Sequence, residues 1–234
     1  MKTPEVDYRK VRLSNIKSSE YRHLLLLLGW VWYLIMYVIT ERLIPESKCH
    51  VVHSKVDDII PFNEYFILVY ISWYVLIVLT LLYFLLYDVK SFIDVQIFII
   101  ATQVIAIITY IVWPSIQNLR PQTFADKNFC TFIVGLIYKA DTPTGVCPSL
   151  HVAYSLAMLS VWLKRKNGNR LWKAVVTIWV VLVCMSVCFA KQHSFTDVWA
   201  AALMCLIIEI VLFGKKYYIA KIKDSRIAKI KDNR

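Results

Sequence analysis

Two histidines and one aspartate are the residues through which this sequence could do covalent chemistry. His193 is followed four residues later by Asp197. That spacing is one helical turn, so the carboxylate can hold one ring nitrogen and leave the other as a nucleophile. His151 ends the run Pro148-Ser149-Leu150-His151, in which the proline suits the first residue of a helix. The free N–H groups of such a first turn make an anion site. A histidine oriented by a carboxylate, beside a second one able to protonate a leaving oxygen, suits phosphoryl transfer. Arg120, in Arg120-Pro121, and Lys191 are the cations placed to neutralise phosphate oxygens, with arginine suited to bidentate contact. Ser149 is placed to cap the helix, and its backbone N–H is the better candidate for phosphate contact. No acidic cluster suggests a catalytic metal, and no cofactor is implied.

The elements that must carry these residues are apolar. Of the 234 residues 59% are hydrophobic and 18% charged, against roughly 45–50% and 25% in a soluble domain. Mean hydropathy is +0.56, so the net charge of +11 speaks for basic flanks around membrane spans rather than for nucleic-acid binding. Six segments approach the length of about 20 apolar residues that a bilayer requires. They run Leu24 to Ile44, Phe66 to Tyr87, Ile93 to Trp113, Pro148 to Leu163, Leu171 to Ala190 and Phe195 to Phe213. The expectation is an all-α, polytopic membrane protein with six transmembrane helices in one bundle. A basic N-terminal segment (1–22) and a basic tail (214–234) flank a membrane catalytic domain (23–213). No cleavable signal peptide is expected, because the first 22 residues are polar and no small-residue cleavage site follows the first apolar run. With six spans, 20 of the 27 Lys and Arg fall on the side of the termini and seven on the other, which predicts cytoplasmic termini and histidines at the outer face.

The outer segment between Pro114 and Cys147 is too long for a mere connector. Cys130 and Cys147 could brace it with a disulfide, but Cys49 is also on that side and leaves the pairing open. Cys49-His50-Val-Val-His53 has metal-type donors but needs further ligands, so a metal site is the weaker reading. Glu209, within the last span, reads as a buried structural hydrogen-bonding group; Asp94, Gln96 and Gln103 read as polar contacts between helices. In the tail, IAKIKDSR is followed by IAKIKDNR, readable either as a surface helix on anionic lipid or as a solvated basic tail.

Arg120-Pro121, Pro148-Ser149-Leu150-His151 and His193-Ser-Phe-Thr-Asp197 resemble, in order and spacing, the three signatures of the type-2 phosphatidic acid phosphatase superfamily. The resemblance covers about half the chain. Its texture is closest to the branch that includes inositol phosphorylceramide synthases. It implies a metal-independent mechanism in which His193 becomes a phosphohistidine, Asp197 supports it and His151 protonates the leaving group. The chain departs from the usual pattern at two cations: Trp113 stands where a lysine is usual, and Ser186-Val187 where a Ser-Arg pair is usual. Lys191 and Lys139 are the available substitutes. The expected activity is hydrolysis of a lipid phosphate or pyrophosphate in the plasma membrane, with no nucleic-acid partner. Transfer of a phospho-headgroup to an alcohol acceptor, and non-enzymatic lipid-phosphate binding or transport, are the alternatives.

Overall fold

A computed structural model describes residues 3–165 and 168–215; the tail repeat lies outside them. The described chain is helical, with α1 (Leu28–Leu43), α2 (Lys55–Ile59), α3 (Phe66–Tyr87), α4 (Val89–Val112), α5 (Phe129–Ala140), α6 (Leu150–Lys164), α7 (Arg170–Phe189) and α8 (Phe195–Phe213). Five helical segments are long and apolar enough to cross a membrane: Arg22–Leu43, which includes α1 and the tighter turn before it, and α3, α4, α7 and α8. Rows of exposed apolar side chains run along them, including Val31, Leu34, Ile35 and Val38 on α1 and Leu203, Leu206, Ile207 and Ile210 on α8. Surfaces of that extent are sustained by lipid, not by water.

The fourth expected span is shorter than the others. At 15 residues α6 rises about 22 Å, less than the roughly 30 Å of a hydrocarbon core. It begins at Leu150 rather than at Pro148, because Ser149 takes the cap position and its Oγ accepts the Val152 N–H at 3.5 Å. The Tyr110 hydroxyl donates to the Pro148 carbonyl at 2.9 Å and anchors that entry. The third segment, by contrast, starts earlier than Ile93: Asp88 caps α4 by accepting the Ser91 N–H at 3.1 Å, so Lys90 lies inside the helix.

Although short, α6 is the centre of the bundle, packed against α3, α4, α7 and α8. Ala153, Ser155 and Ala157 are fully buried on it, and such small residues let neighbouring helices approach closely. Its C-terminal end is tied by ion pairs. Lys164 meets Glu209 of α8, which also accepts from the Ser160 hydroxyl at 2.6 Å, and Arg165 meets Asp88 at 2.8 Å. Glu209 is thus hydrogen-bonded as expected, with a lysine partner. Gln96 accepts from the Trp30 indole at 3.1 Å, a contact between α1 and α4. At this same end the N-terminal segment straps the bundle: Glu5 accepts the Val89 N–H at 2.8 Å, and the Tyr8 hydroxyl donates to the Leu85 carbonyl at 2.8 Å.

At the other end, the long connections knit together. β1 (His50–Val51) pairs in parallel with β2 (Ser115–Ile116), and Ile116 bridges onward to Thr144. The segment between α4 and α6 also contains α5, capped by Asn128, whose side chain accepts the Thr131 N–H at 3.0 Å.

Candidate active site

The first turns of α6 and α8 bring the two histidines face to face. Ser194 caps α8 and starts a capping box, its N–H donating to Asp197 Oδ2 at 2.9 Å, so Asp197 is fixed one turn beyond His193. His193 Nδ1 lies 3.3 Å from that same carboxylate oxygen and 3.1 Å from the Val146 carbonyl. Both neighbours only accept, so the proton sits on Nδ1 and the Nε2 lone pair points away from them. Nε2 faces His151 Nδ1 at 3.3 Å, and His151 Nε2 is 2.8 Å from the Tyr70 hydroxyl of α3. One consistent set of protons follows: Tyr70 donates to His151, His151 Nδ1–H to His193, and His193 Nδ1–H to Asp197 and Val146. Asp197 is fully buried and His193 is 7% exposed.

The histidines border a cavity of about 450 Å³ whose walls include Tyr37, Trp73, Tyr110, Tyr154, Asp141 and Gln192. Its rim includes Leu34 of α1 and Val78 of α3, both exposed on the apolar outer surface. A shape of this kind admits a ligand with a polar head and an apolar chain. The Trp73 ring lies 4.4 Å from that of His151.

The three groups assigned to the phosphate are placed differently from the expectation. Arg120 stands behind the wall. Its guanidinium donates to the carbonyls of Tyr138, Asp141 and Thr142 and to Gln192 Oε1 at 2.7 Å, and it covers the Tyr138 ring at 4.6 Å. With four of its donors engaged, it shapes the 138–142 wall and holds the residue before His193. Lys191 does not border the cavity: it is 8% exposed, and its Nζ donates to the Asp57 carbonyl of α2 at 2.9 Å and to the Ile60 carbonyl just after it at 2.6 Å. The Ser149 N–H is spent on the Asp197 carbonyl at 3.3 Å, and its hydroxyl caps α6. First-turn N–H groups of Leu150 and His151 remain for an anion, since no carbonyl of their own helix lies four residues before them. Trp113 stacks on His50 at 5.3 Å, and Val187 supplies a carbonyl that accepts the N–H groups of both Gln192 and His193.

Asp141 and Cys147 are further groups near the histidines. Burial pushes the Asp141 carboxyl up, against the lowering effects of the Tyr37 hydroxyl, His193 and Arg120. Burial, with the Asp197 charge beside it, pushes the Cys147 thiol up to about 12. All six cysteines are free, so Cys130 and Cys147 are not bridged. Among the described residues no three metal-type side chains gather; His53 pairs instead with Asp58 at 2.8 Å.

Sequence spacing missed Tyr70, Gln117, Gln192 and Asp57. Tyr70 lies inside a long, mostly apolar run and carries no local signal. Gln117 is buried, and its amide donates to the Lys191 carbonyl at 3.1 Å, a contact between segments 74 residues apart. Asp57 did have a signal, the Ser54-x-x-Asp57 pattern of a helix start. No protein family, curated relative or solved structure matches this chain.

Proposed function

We propose that this chain is an integral membrane phosphatase that hydrolyses lipid phosphate or pyrophosphate esters through a phosphohistidine, without a metal. One observation carries the reading: the His193 Nε2 lone pair and His151 Nδ1 face each other at 3.3 Å at the end of a cavity, with Asp197 and Tyr70 fixing the far nitrogens. The likeness of the three motifs to the phosphatidic acid phosphatase signatures supports it. The proposed topology has six spans including α6, cytoplasmic termini and a site at the outer face of the plasma membrane.

His193 Nε2 attacks phosphorus, and the bond from phosphorus to the lipid oxygen breaks. That oxygen takes the Nδ1 proton of a protonated His151, whose Nε2–H turns to the Tyr70 oxygen; a hydroxyl can donate to the neutral ring and accept from the charged one. Water then attacks the phosphohistidine. It gives a proton to His151, inorganic phosphate leaves and His193 is restored. Asp197 steadies the positive charge that develops on His193. The first-turn N–H groups of α6 offset phosphate charge. Since the two facing ring nitrogens lie 3.3 Å apart, phosphorus enters only as the rings part.

Purified chain in detergent is given phosphatidic acid or a polyprenyl pyrophosphate with excess chelator, beside a His193→Ala variant. Phosphate release by the parent and not by the variant is the expected result. Equal release by both, or release abolished by chelator, overturns the mechanism. Release from neither substrate, appearing only on addition of an alcohol acceptor, moves the reading to phosphotransfer.

A further inference from the structure

One buried carboxylate near the site has no part in the chemistry above. Asp57 sits on α2, a single five-residue helix between the first two long helices, and is 4% exposed. Its Oδ2 accepts the Ser194 hydroxyl at 2.6 Å and the Ser54 N–H at 2.8 Å; its Oδ1 accepts the Phe195 N–H at 2.7 Å. It therefore grips the residue that follows His193 and the start of α8. From the residue two before His193, Lys191 reaches back to the carbonyls of Asp57 and Ile60. Lys191 holds a left-handed backbone with φ 51°, a conformation that costs a non-glycine residue energy and persists when its surroundings enforce it. Gln117 holds the Lys191 carbonyl as well.

We propose that α2 is a two-point clamp on the turn between α7 and α8, in which Asp57 is a positioning residue for His193 and Lys191 is the opposing grip. The proposal rests on the reading of His193 as the nucleophile. The route is short: Asp57 fixes Ser194, the Ser194 N–H fixes Asp197 Oδ2, and that oxygen faces His193 Nδ1. Asp57 also lies at the N-terminus of a 19-residue helix, where a negative charge is favoured. Burial raises its carboxyl, but the bonds from Ser194, Phe195 and Ser54 outweigh this and hold it below its ordinary value. The clamp is a catalytic device rather than a brace because the nucleophile must meet phosphorus in line, and a displacement of about 1 Å costs on the order of 100-fold.

The test compares full-length parent, Asp57→Asn, Asp57→Glu and Ser194→Ala by kcat and KM for phosphate release, melting temperature, and carbethoxylation of His193 by diethyl pyrocarbonate, read by peptide mass. Expected for Asp57→Asn is a kcat lower by about 100-fold with KM within about twofold, and His193 modified several-fold faster as its ring leaves His151. Asp57→Glu regains part of kcat. Ser194→Ala shows the same split in smaller degree, and the Asp57→Asn/Ser194→Ala pair is no slower than Asp57→Asn alone, since both cut one chain of contacts. Parental kcat in folded Asp57→Asn, or additive losses in the pair, overturns the clamp while leaving the phosphatase reading intact. Should the parent release no phosphate, that reading fails instead, and the modification rate of His193 alone decides the clamp: equal rates in parent and folded variants overturn it. If Asp57→Asn does not fold, Ser194→Ala carries the same comparisons.

Discussion

Tyr70→Phe removes one oxygen and keeps the ring that packs 4.7 Å from His151. The hydroxyl lies 2.8 Å from His151 Nε2 and is the group that can serve that nitrogen in either protonation state. Without it, the neutral ring is free to move its proton to Nε2, which turns two lone pairs toward each other between His151 and His193. The protonated ring loses a hydrogen bond to a charged group, worth about 1.5–3 kcal/mol. At about 1.36 kcal/mol per tenfold in rate, kcat falls about 10- to 150-fold. KM changes little, because Tyr70 acts on the acid and not on the lipid. The assay is phosphate release across about pH 5 to 9, with a melting curve at each pH. The lost stabilisation should also move the alkaline limb of kcat, which reports loss of the His151 proton, to lower pH. A folded Tyr70→Phe enzyme with parental kcat and an unmoved pH profile would refute the proton arrangement, as would a loss confined to KM.

Other outcomes follow from the same contacts. Arg120→Lys keeps the charge but loses the fork that meets four acceptors, so both melting temperature and kcat should fall; an unchanged melting temperature would contradict its role in holding the 138–142 wall. Cys147, with its thiol raised to about 12 and 7% of its surface exposed, should resist iodoacetamide in the folded protein near neutral pH and react once unfolded, as peptide mass spectrometry would show. Asp141 is raised by burial above its ordinary 3.8. The folded state therefore binds that proton more firmly than the unfolded one, and its contribution is full at low pH and lost as pH rises through the raised value. Asp141→Asn should accordingly gain in melting temperature relative to the parent between about pH 4 and pH 7; a constant difference would show that Asp141 does not titrate in that way. Gly29→Ala gains about 1 kcal/mol in helix propensity, but its Cβ would lie 2.6 Å from Ile100 Cγ1. Overpacking of about 1–3 kcal/mol outweighs that gain, so thermal unfolding should begin earlier.

What could be read in the sequence was what one turn of helix decides. The four-residue step from His193 to Asp197 settles their geometry locally, and Ser149 caps α6 through a bond to its own third residue. The long apolar runs were legible for a similar reason, since length and composition alone make a span. Cations were not. Arg120 and Lys191 have long side chains whose targets lie on other segments, and apart from Gln192 Oε1 those targets are backbone carbonyls, which leave no mark in a residue pattern. Tyr70 was hidden because nothing in an apolar helix marks which hydroxyl will meet a histidine 81 positions away. The short α6 was partly visible as a brief apolar run, but its place at the centre depends on packing against four other helices.

The brevity of that helix has a chemical consequence in the proposed topology. A helix about 8 Å shorter than the hydrocarbon layer leaves its first turn recessed below the membrane surface. His151 begins there, so the reaction would take place at the depth of the lipid backbone and not among the headgroups. The co-substrate that resolves the phosphohistidine must then come either as water drawn into a chamber walled by Trp73, Tyr110 and Tyr154, or as an alcohol already dissolved in the leaflet. Partition between bilayer and solution, more than bulk concentration, would set which of the two arrives first.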